Sequence, residues 1–247
     1  MTRRVLCIVP AYNEEASVGR VVRALRDRGY DVCVVDDGSL DETTREARRA
    51  GAEVLRMPRN VGVGGALRCG FRYAVATGYD VVVQVDGDGQ HDPAQVAGLL
   101  AELTRTDADM VVGSRFAEAG SSFALSRTRR LAMQLLARRA SAAVGVPITD
   151  ATSGFRAIQR PLLERFAREY PTEYLGDTVE ALVAAGREGA RVREHPVHMT
   201  ARETGQASAG SLASVWYMVR VLLAIELMPR GRRALDEASP DHHGDDA

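Results

Sequence analysis

Lysine is missing from this chain of 247 residues, and all 32 basic residues are arginine. That absence excludes every mechanism requiring a catalytic lysine. Cysteine is scarce too. Cys7, Cys33 and Cys69 form no CxxC pair, and the first two sit inside apolar, strand-like runs, where a buried, reduced thiol is expected. An odd count suits a reducing compartment better than a disulfide framework. Net charge is nearly absent: 33 acidic residues leave a formal −1, which argues against a general nucleic-acid binder.

Long apolar runs are lacking as well. Met1-Thr2-Arg3-Arg4 leads straight into a strand, with no stretch suited to export, so a cytoplasmic protein is expected. Leu212 to Met228 is almost wholly apolar but carries Ser214, Arg220 and Glu226. As a helix it would reach about 25 Å at 1.5 Å per residue, short of the roughly 30 Å hydrocarbon core. Each of the two charges would cost roughly 2.5 kcal/mol or more at the bilayer centre. A spanning helix is therefore not expected; a core helix or one lying at a membrane interface is.

What is present is an alternation. Val5-Leu6-Cys7-Ile8-Val9 reads as a strand buried on both faces. Asn13 offers an N-cap with Glu14 and Glu15 in the first turn, and Val18, Val21, Val22 and Leu25 follow at helical spacing. The unit repeats: strand Val32 to Val35, helix Glu42 to Ala50, strand Glu53 to Leu55, helix Gly65 to Ala76, strand Val81 to Val85, helix Pro93 to Leu103, strand Asp109 to Val112. Beyond Phe116 the pattern loosens into a loop, an Arg-rich helix over Ser126 to Val144, a turn-rich stretch Thr149 to Arg156, a helix Asp177 to Arg187 and a strand Arg191 to His198. This is α/β: a mainly parallel sheet flanked by helices, with ligands expected at the carboxyl ends of its strands.

The polar residues gather at those ends. Asp86-Gly87-Asp88-Gly89-Gln90 closes one strand, and Asp86, Asp88 and Gln90 are spaced to aim oxygens at one divalent cation. A calcium loop starting at Asp86 would need Gly and Glu where His91 and Ala97 stand. An aspartyl-nucleophile phosphatase wants Thr or Val in place of Gln90 and a downstream lysine, and a plain acidic turn is the blandest rival. Pro10-Ala11-Tyr12-Asn13-Glu14 and Asp36-Asp37-Gly38-Ser39 end two further strands. Each is a plausible turn alone; functionally, Tyr12 can stack on a nucleobase and an Asp at 36 or 37 can accept base or ribose donors. Asn60 to Gly65 lacks a dinucleotide fingerprint but would let a nucleotide approach the backbone. His91 fits either a ligand of metal or phosphate or a packing group at the helix entry. His195, His198, His242 and His243 lack metal spacing.

In order along residues 5–208, these segments, with Asn60-Val61-Gly62, His91-Asp92-Pro93, Gly113-Ser114-Arg115, Ser153-Gly154-Phe155-Arg156 and Arg202-Glu203-Thr204-Gly205-Gln206-Ala207-Ser208, resemble family 2 glycosyltransferases, particularly the dolichyl- and polyprenyl-phosphate sugar synthases. The resemblance implies a GT-A catalytic domain over 1–210; the residues beyond it read as an apolar or amphipathic C-terminal helix over 211–229 and a disordered tail over 230–247. It implies that Pro10, Tyr12, Glu14, Asp36 or Asp37, Asn60, Gly62 and Asp86 line the nucleotide pocket. It places Mg²⁺ or Mn²⁺ on Asp86, Asp88 and Gln90, and it sets Arg115, Arg129, Arg156 and Arg202 around the donor diphosphate and the acceptor phosphate. Gln206-Ala207-Ser208 departs from the Ser-plus-basic pattern of the lipid-phosphate enzymes.

The expected reaction is inverting transfer of glucose or mannose from a UDP- or GDP-sugar to a polyprenyl phosphate, by a protein peripheral at the cytoplasmic face of the membrane, in contact with lipid or a membrane protein. Asp88 and the arginines would stabilise the leaving diphosphate. A hydroxyl acceptor of a soluble transferase would instead need a base, with Asp150 or Asp177 as the carboxylate. A silent nucleotide-binding module is the third reading.

Overall fold

The structure, a computed structural model, describes residues 3–117, 127–171 and 177–199, without the side chains of 127–132 and 177. The expected segment 211–229, the tail, Arg202, and the side chains of Arg129 and Asp177 lie outside the described residues.

Seven strands form one sheet. They are β1 (Val5–Ala11), β2 (Asp31–Asp36), β3 (Glu53–Arg56), β4 (Val81–Gln84), β5 (Met110–Ser114), β6 (Arg156–Gln159) and β7 (Val192–Pro196), in the order β3-β2-β1-β4-β6-β5-β7. All neighbouring pairs are parallel except those of β6, which runs antiparallel to β4 and β5. The helices are α1 (Val18–Arg26), α2 (Thr43–Arg49), α3 (Val63–Ala76), α4 (Val96–Thr106), α5 (Arg127–Val144), α6 (Leu162–Glu169) and α7 (Asp177–Arg187).

Alternating strand side chains feed two cores, one on each face. Leu6, Ile8, Cys33, Val35, Val82, Met110, Val112 and Ile158 pack against α3, α5, α6 and α7. Cys7, Val9, Val32, Val34, Val83, Val111 and Ala157 pack against α1 and α4. Strands buried on both faces explain why the runs are continuously apolar instead of alternating. Cys7 and Cys33 are fully buried, as expected. Burial pushes the Cys33 thiol up to about 12, with the charge of Glu53 adding to it, so the thiol stays protonated and inert.

One local expectation fails, and two elements are not foreseen. Asn13 does not cap a helix. Instead α1 begins after Ser17, and Asn13 adopts φ 54°, a left-handed conformation that Asn tolerates better than most residues. Its amide oxygen accepts from the Leu40 N–H (2.9 Å) and its own N–H donates to Ser39 Oγ (3.0 Å), so a contact across the sheet overrides the local cap. Strand β6 and helix α6 lie at the end of the turn-rich stretch Thr149 to Arg156 and just beyond it, where the sequence reading places no element. Four residues are too few to display periodicity, and β6 is fixed by its two neighbours.

Candidate active site

In a doubly wound sheet the crevice opens where the strand order reverses. Here β1 is flanked by β2 on one side and β4 on the other, and the motif residues leave from the carboxyl ends of these three strands. Register sets them side by side: Pro10 pairs with Val35 and Ala11 with Asp36, and the Val85 N–H donates to the Ile8 carbonyl at 3.0 Å. Tyr12 is 43% exposed at the rim, available to stack. Pro10 and Glu14 are half-buried beside it, and Glu14 accepts from Ser17 Oγ at 2.9 Å.

Asp36 and Asp37 are both buried and have separate duties. Asp36 turns inward, accepting from the Ser39 N–H (2.8 Å) and the Thr44 hydroxyl. Asp37 reaches across to the next connection, accepting from the Val61 N–H (2.8 Å) and the Gly62 N–H (2.9 Å). Burial raises its pKa, the two N–H donors lower it, and the neighbouring Asp36 charge raises it, leaving a net upward shift. Asn60 is exposed and its amide oxygen also accepts from Gly62 N–H at 3.1 Å. Gly62 sits at φ 87°, before the first turn of α3. Gly38 is required by a close approach: at φ 76°, a Cβ there would lie 2.6 Å from the Arg59 carbonyl carbon. The loops carrying Asp37 and Asn60 are thus one unit lining one wall of the crevice.

The opposite wall is the Asp86 to Gln90 loop. Gly87 lets it lie on β1, since a Cβ there would meet the Pro10 carbonyl oxygen at 3.2 Å. Asp88 Oδ1 accepts from the Gln90 N–H at 2.9 Å, which closes the turn. The Asp86 side chain is 38% exposed. Gly154, on the segment entering β6, keeps the space beside it open: a Cβ there would stand 3.4 and 3.5 Å from the two Asp86 carboxylate oxygens. Among the described residues no three His, Cys, Asp or Glu side chains come together as a group that could hold a metal ion. Asp86, Asp88 and Gln90 all stand on this one loop, and hard cations such as Mg²⁺ or Mn²⁺ take oxygen ligands of these types.

Arg115 follows β5 and faces this loop. Its Nε and Nη2 donate to Asp150 at 2.6 and 2.9 Å, Nη2 also donates to Thr152 Oγ1 at 2.9 Å, and its N–H donates to Asp150 at 3.2 Å. Burial lowers the Arg115 pKa, but the bonds and charge of Asp150, with the charge of Asp86, outweigh it and leave it raised. Glu194 on β7 supports the arrangement by accepting from the N–H groups of Thr149 and Asp150, each at 2.8 Å. Asp150, considered above as a base, is 1% exposed and bound in a bidentate pair. Arg156 lies at the start of β6. It is 1% exposed, and its guanidinium donates to the carbonyls of Ser153 (2.9 Å) and Ala151 (3.2 Å). These two bonds tie its Nε and Nη2 to the 151–153 turn.

The model of glycosyl transferase family 2 matches residues 6–166, from β1 into α6. The chain belongs to glycosyl transferase family 2. Among its relatives, the undecaprenyl-phosphate mannosyltransferase of Micrococcus luteus is 35% identical over 212 residues, 83% of this chain and 86% of that one. The polyprenol monophosphomannose synthase of Mycolicibacterium smegmatis is 32% identical over 222 residues, 83% of this chain and 80% of that one. In shape the chain resembles glucosyl-3-phosphoglycerate synthase of Mycobacterium tuberculosis, crystallised with Mn²⁺, uridine diphosphate and phosphoglyceric acid. That likeness has a TM-score of 0.68 and 23% identity, and covers 92% of this chain and 80% of the other. At such identity it speaks to the fold alone, the GT-A-like α/β arrangement. This family 2 transferase contains, among its described residues, no helix long and apolar enough to cross a membrane.

Proposed function

We propose that this family 2 glycosyltransferase moves a hexose, mannose before glucose, from a nucleotide-sugar to a polyprenyl phosphate by single displacement with inversion. The names of the mannosyl relatives support the sugar and the acceptor. The observation that carries the acceptor class is the sequestered Asp150. With this carboxylate buried and held by Arg115, it is poorly placed to deprotonate a hydroxyl, which favours an acceptor such as a phosphate, whose oxygen is already anionic.

In this reading Tyr12 stacks on the nucleobase, and the Asp37-anchored loop at Asn60 and Gly62 brings backbone close to the ribose and diphosphate. Asp86, Asp88 and Gln90 would hold a divalent cation, which when bound offsets charge on the departing diphosphate. Arg115 adds a fixed positive charge next to Asp86. Arg129 and Arg202 are assigned to the two phosphates, and segment 211–229 to contact with the membrane surface, at its cytoplasmic face.

The test is extraction. The enzyme is incubated with polyprenyl phosphate, Mn²⁺ and labelled GDP-mannose or UDP-glucose, then partitioned into organic solvent. Label should enter the organic phase with one of the donors and should remain aqueous once the metal is chelated. Label transferred only to water-soluble acceptors would refute the lipid phosphate, and unchanged transfer after chelation would refute the cation.

A further inference from the structure

His91 is buried, 1% exposed, directly after the metal-loop residues. The Asp86 N–H donates to its Nδ1 at 3.0 Å. An imidazole nitrogen that accepts has no proton, so the proton of the neutral ring is on Nε2. That nitrogen has no hydrogen-bond partner among the described residues. It faces Asp86 Oδ2 at 3.6 Å, just beyond hydrogen-bond range. The ring cannot turn away easily, because it stacks on Phe155 with centroids 4.8 Å apart and planes at 15°. Its backbone forms an isolated antiparallel bridge with Met199, three residues before Arg202 in the sequence.

One side chain thus meets Asp86 at two points: Nδ1 accepts from its main chain, and Nε2 stands 3.6 Å from its carboxylate. Packing at the helix entry would require neither the acceptor nor the buried donor, and an unsatisfied buried N–H is costly unless something completes it. Rotation of the half-exposed Asp86 carboxylate would close the remaining gap. We propose that His91 is the positioning residue of the cation site: its Nε2–H holds Asp86 Oδ2 and so orients the other oxygen toward the metal, as partners behind metal ligands commonly do. This rests on the metal-binding reading of Asp86, Asp88 and Gln90.

The test compares His91→Asn, His91→Gln and His91→Phe with the parent, using Mn²⁺ titration followed by electron paramagnetic resonance, without donor or acceptor, and melting temperature alongside. Asn reproduces the Nδ1 acceptor but has no donor near Nε2, whereas the Gln amide reaches the Nε2 position. Asn should weaken Mn²⁺ binding about tenfold, at the low end of what such partners contribute, with little change in melting temperature; Gln should recover much of it, and Phe should weaken it at least as much as Asn. In turnover assays the apparent KM for Mn²⁺ should rise more than that for the nucleotide-sugar. If the parent binds Mn²⁺ and the Asn variant binds it equally well, His91 is only packing and the proposal is overturned. Affinities that follow melting temperature, with no rescue by Gln, overturn it as well. A parent protein that binds no Mn²⁺ overturns the metal reading itself, and this inference with it.

Discussion

The Arg115–Asp150 pair gives the sharpest test of how the acceptor is activated. Consider Asp150→Asn. The side chain keeps its shape but loses its charge, leaving a guanidinium that is only 20% exposed without its counter-ion. Removing one partner of a buried ion pair costs about 3–5 kcal/mol. The residual exposure of Arg115 lets water return some of that, so the low end, about 3 kcal/mol, applies. For a chain of this size, each kcal/mol is about 2–4 °C in melting temperature, so a drop of about 6–12 °C is expected. Activity should fall mainly through a higher KM for the donor, because Arg115 is no longer fixed beside Asp86. The double variant Arg115→Met with Asp150→Leu should regain much of the stability, since an apolar pair of similar volume is often neutral or better, but not the activity. Calorimetry and steady-state kinetics on the three proteins decide the matter. A melting temperature within about 1 °C of the parent, together with a collapse of kcat alone, would show Asp150 acting as a base and would refute the anionic acceptor.

Asp37→Ala removes the acceptor of the Val61 and Gly62 N–H groups. Because Asn60 still accepts from Gly62, the stability loss should be about 1–2 kcal/mol in urea unfolding, with a proportionally larger loss of nucleoside diphosphate affinity by calorimetry. Glu194 has a pKa raised by burial, against the lowering effect of the Asp150 and Thr149 N–H groups and the Thr149 hydroxyl. A raised carboxylate binds its proton more tightly in the folded state, so its contribution to stability is complete below the unfolded carboxylate range and lost as pH rises through the folded value. Stability of the parent relative to Glu194→Gln should therefore decline with rising pH across the mildly acid range, and parallel pH profiles would refute the shift.

The family and its fold were legible in the chain because they depend on patterns within a few residues of one another. Doubly buried strands give continuous apolar runs, helices give a 3.6-residue period, and the loops at the strand ends must be polar because they face the crevice. The helix Asp177–Arg187 and the loop Asp86 to Gln90 both lie where this local logic sets them. Side-chain assignments were less accessible, because a polar residue's partner can be far away in sequence. Asp150 could pass for a base until Arg115, 35 residues earlier, was seen to hold it. The bonds of Arg156 to the Ser153 and Ala151 carbonyls likewise have no trace in the local pattern. Asn13 had a local cap available and instead joined Ser39 and Leu40. The sequence by itself thus determined which segments meet at the crevice, since solvent and periodicity act on every residue locally. Only the tertiary structure decided which charged groups are engaged in holding the walls, because desolvation and pairing depend on neighbours brought together by folding.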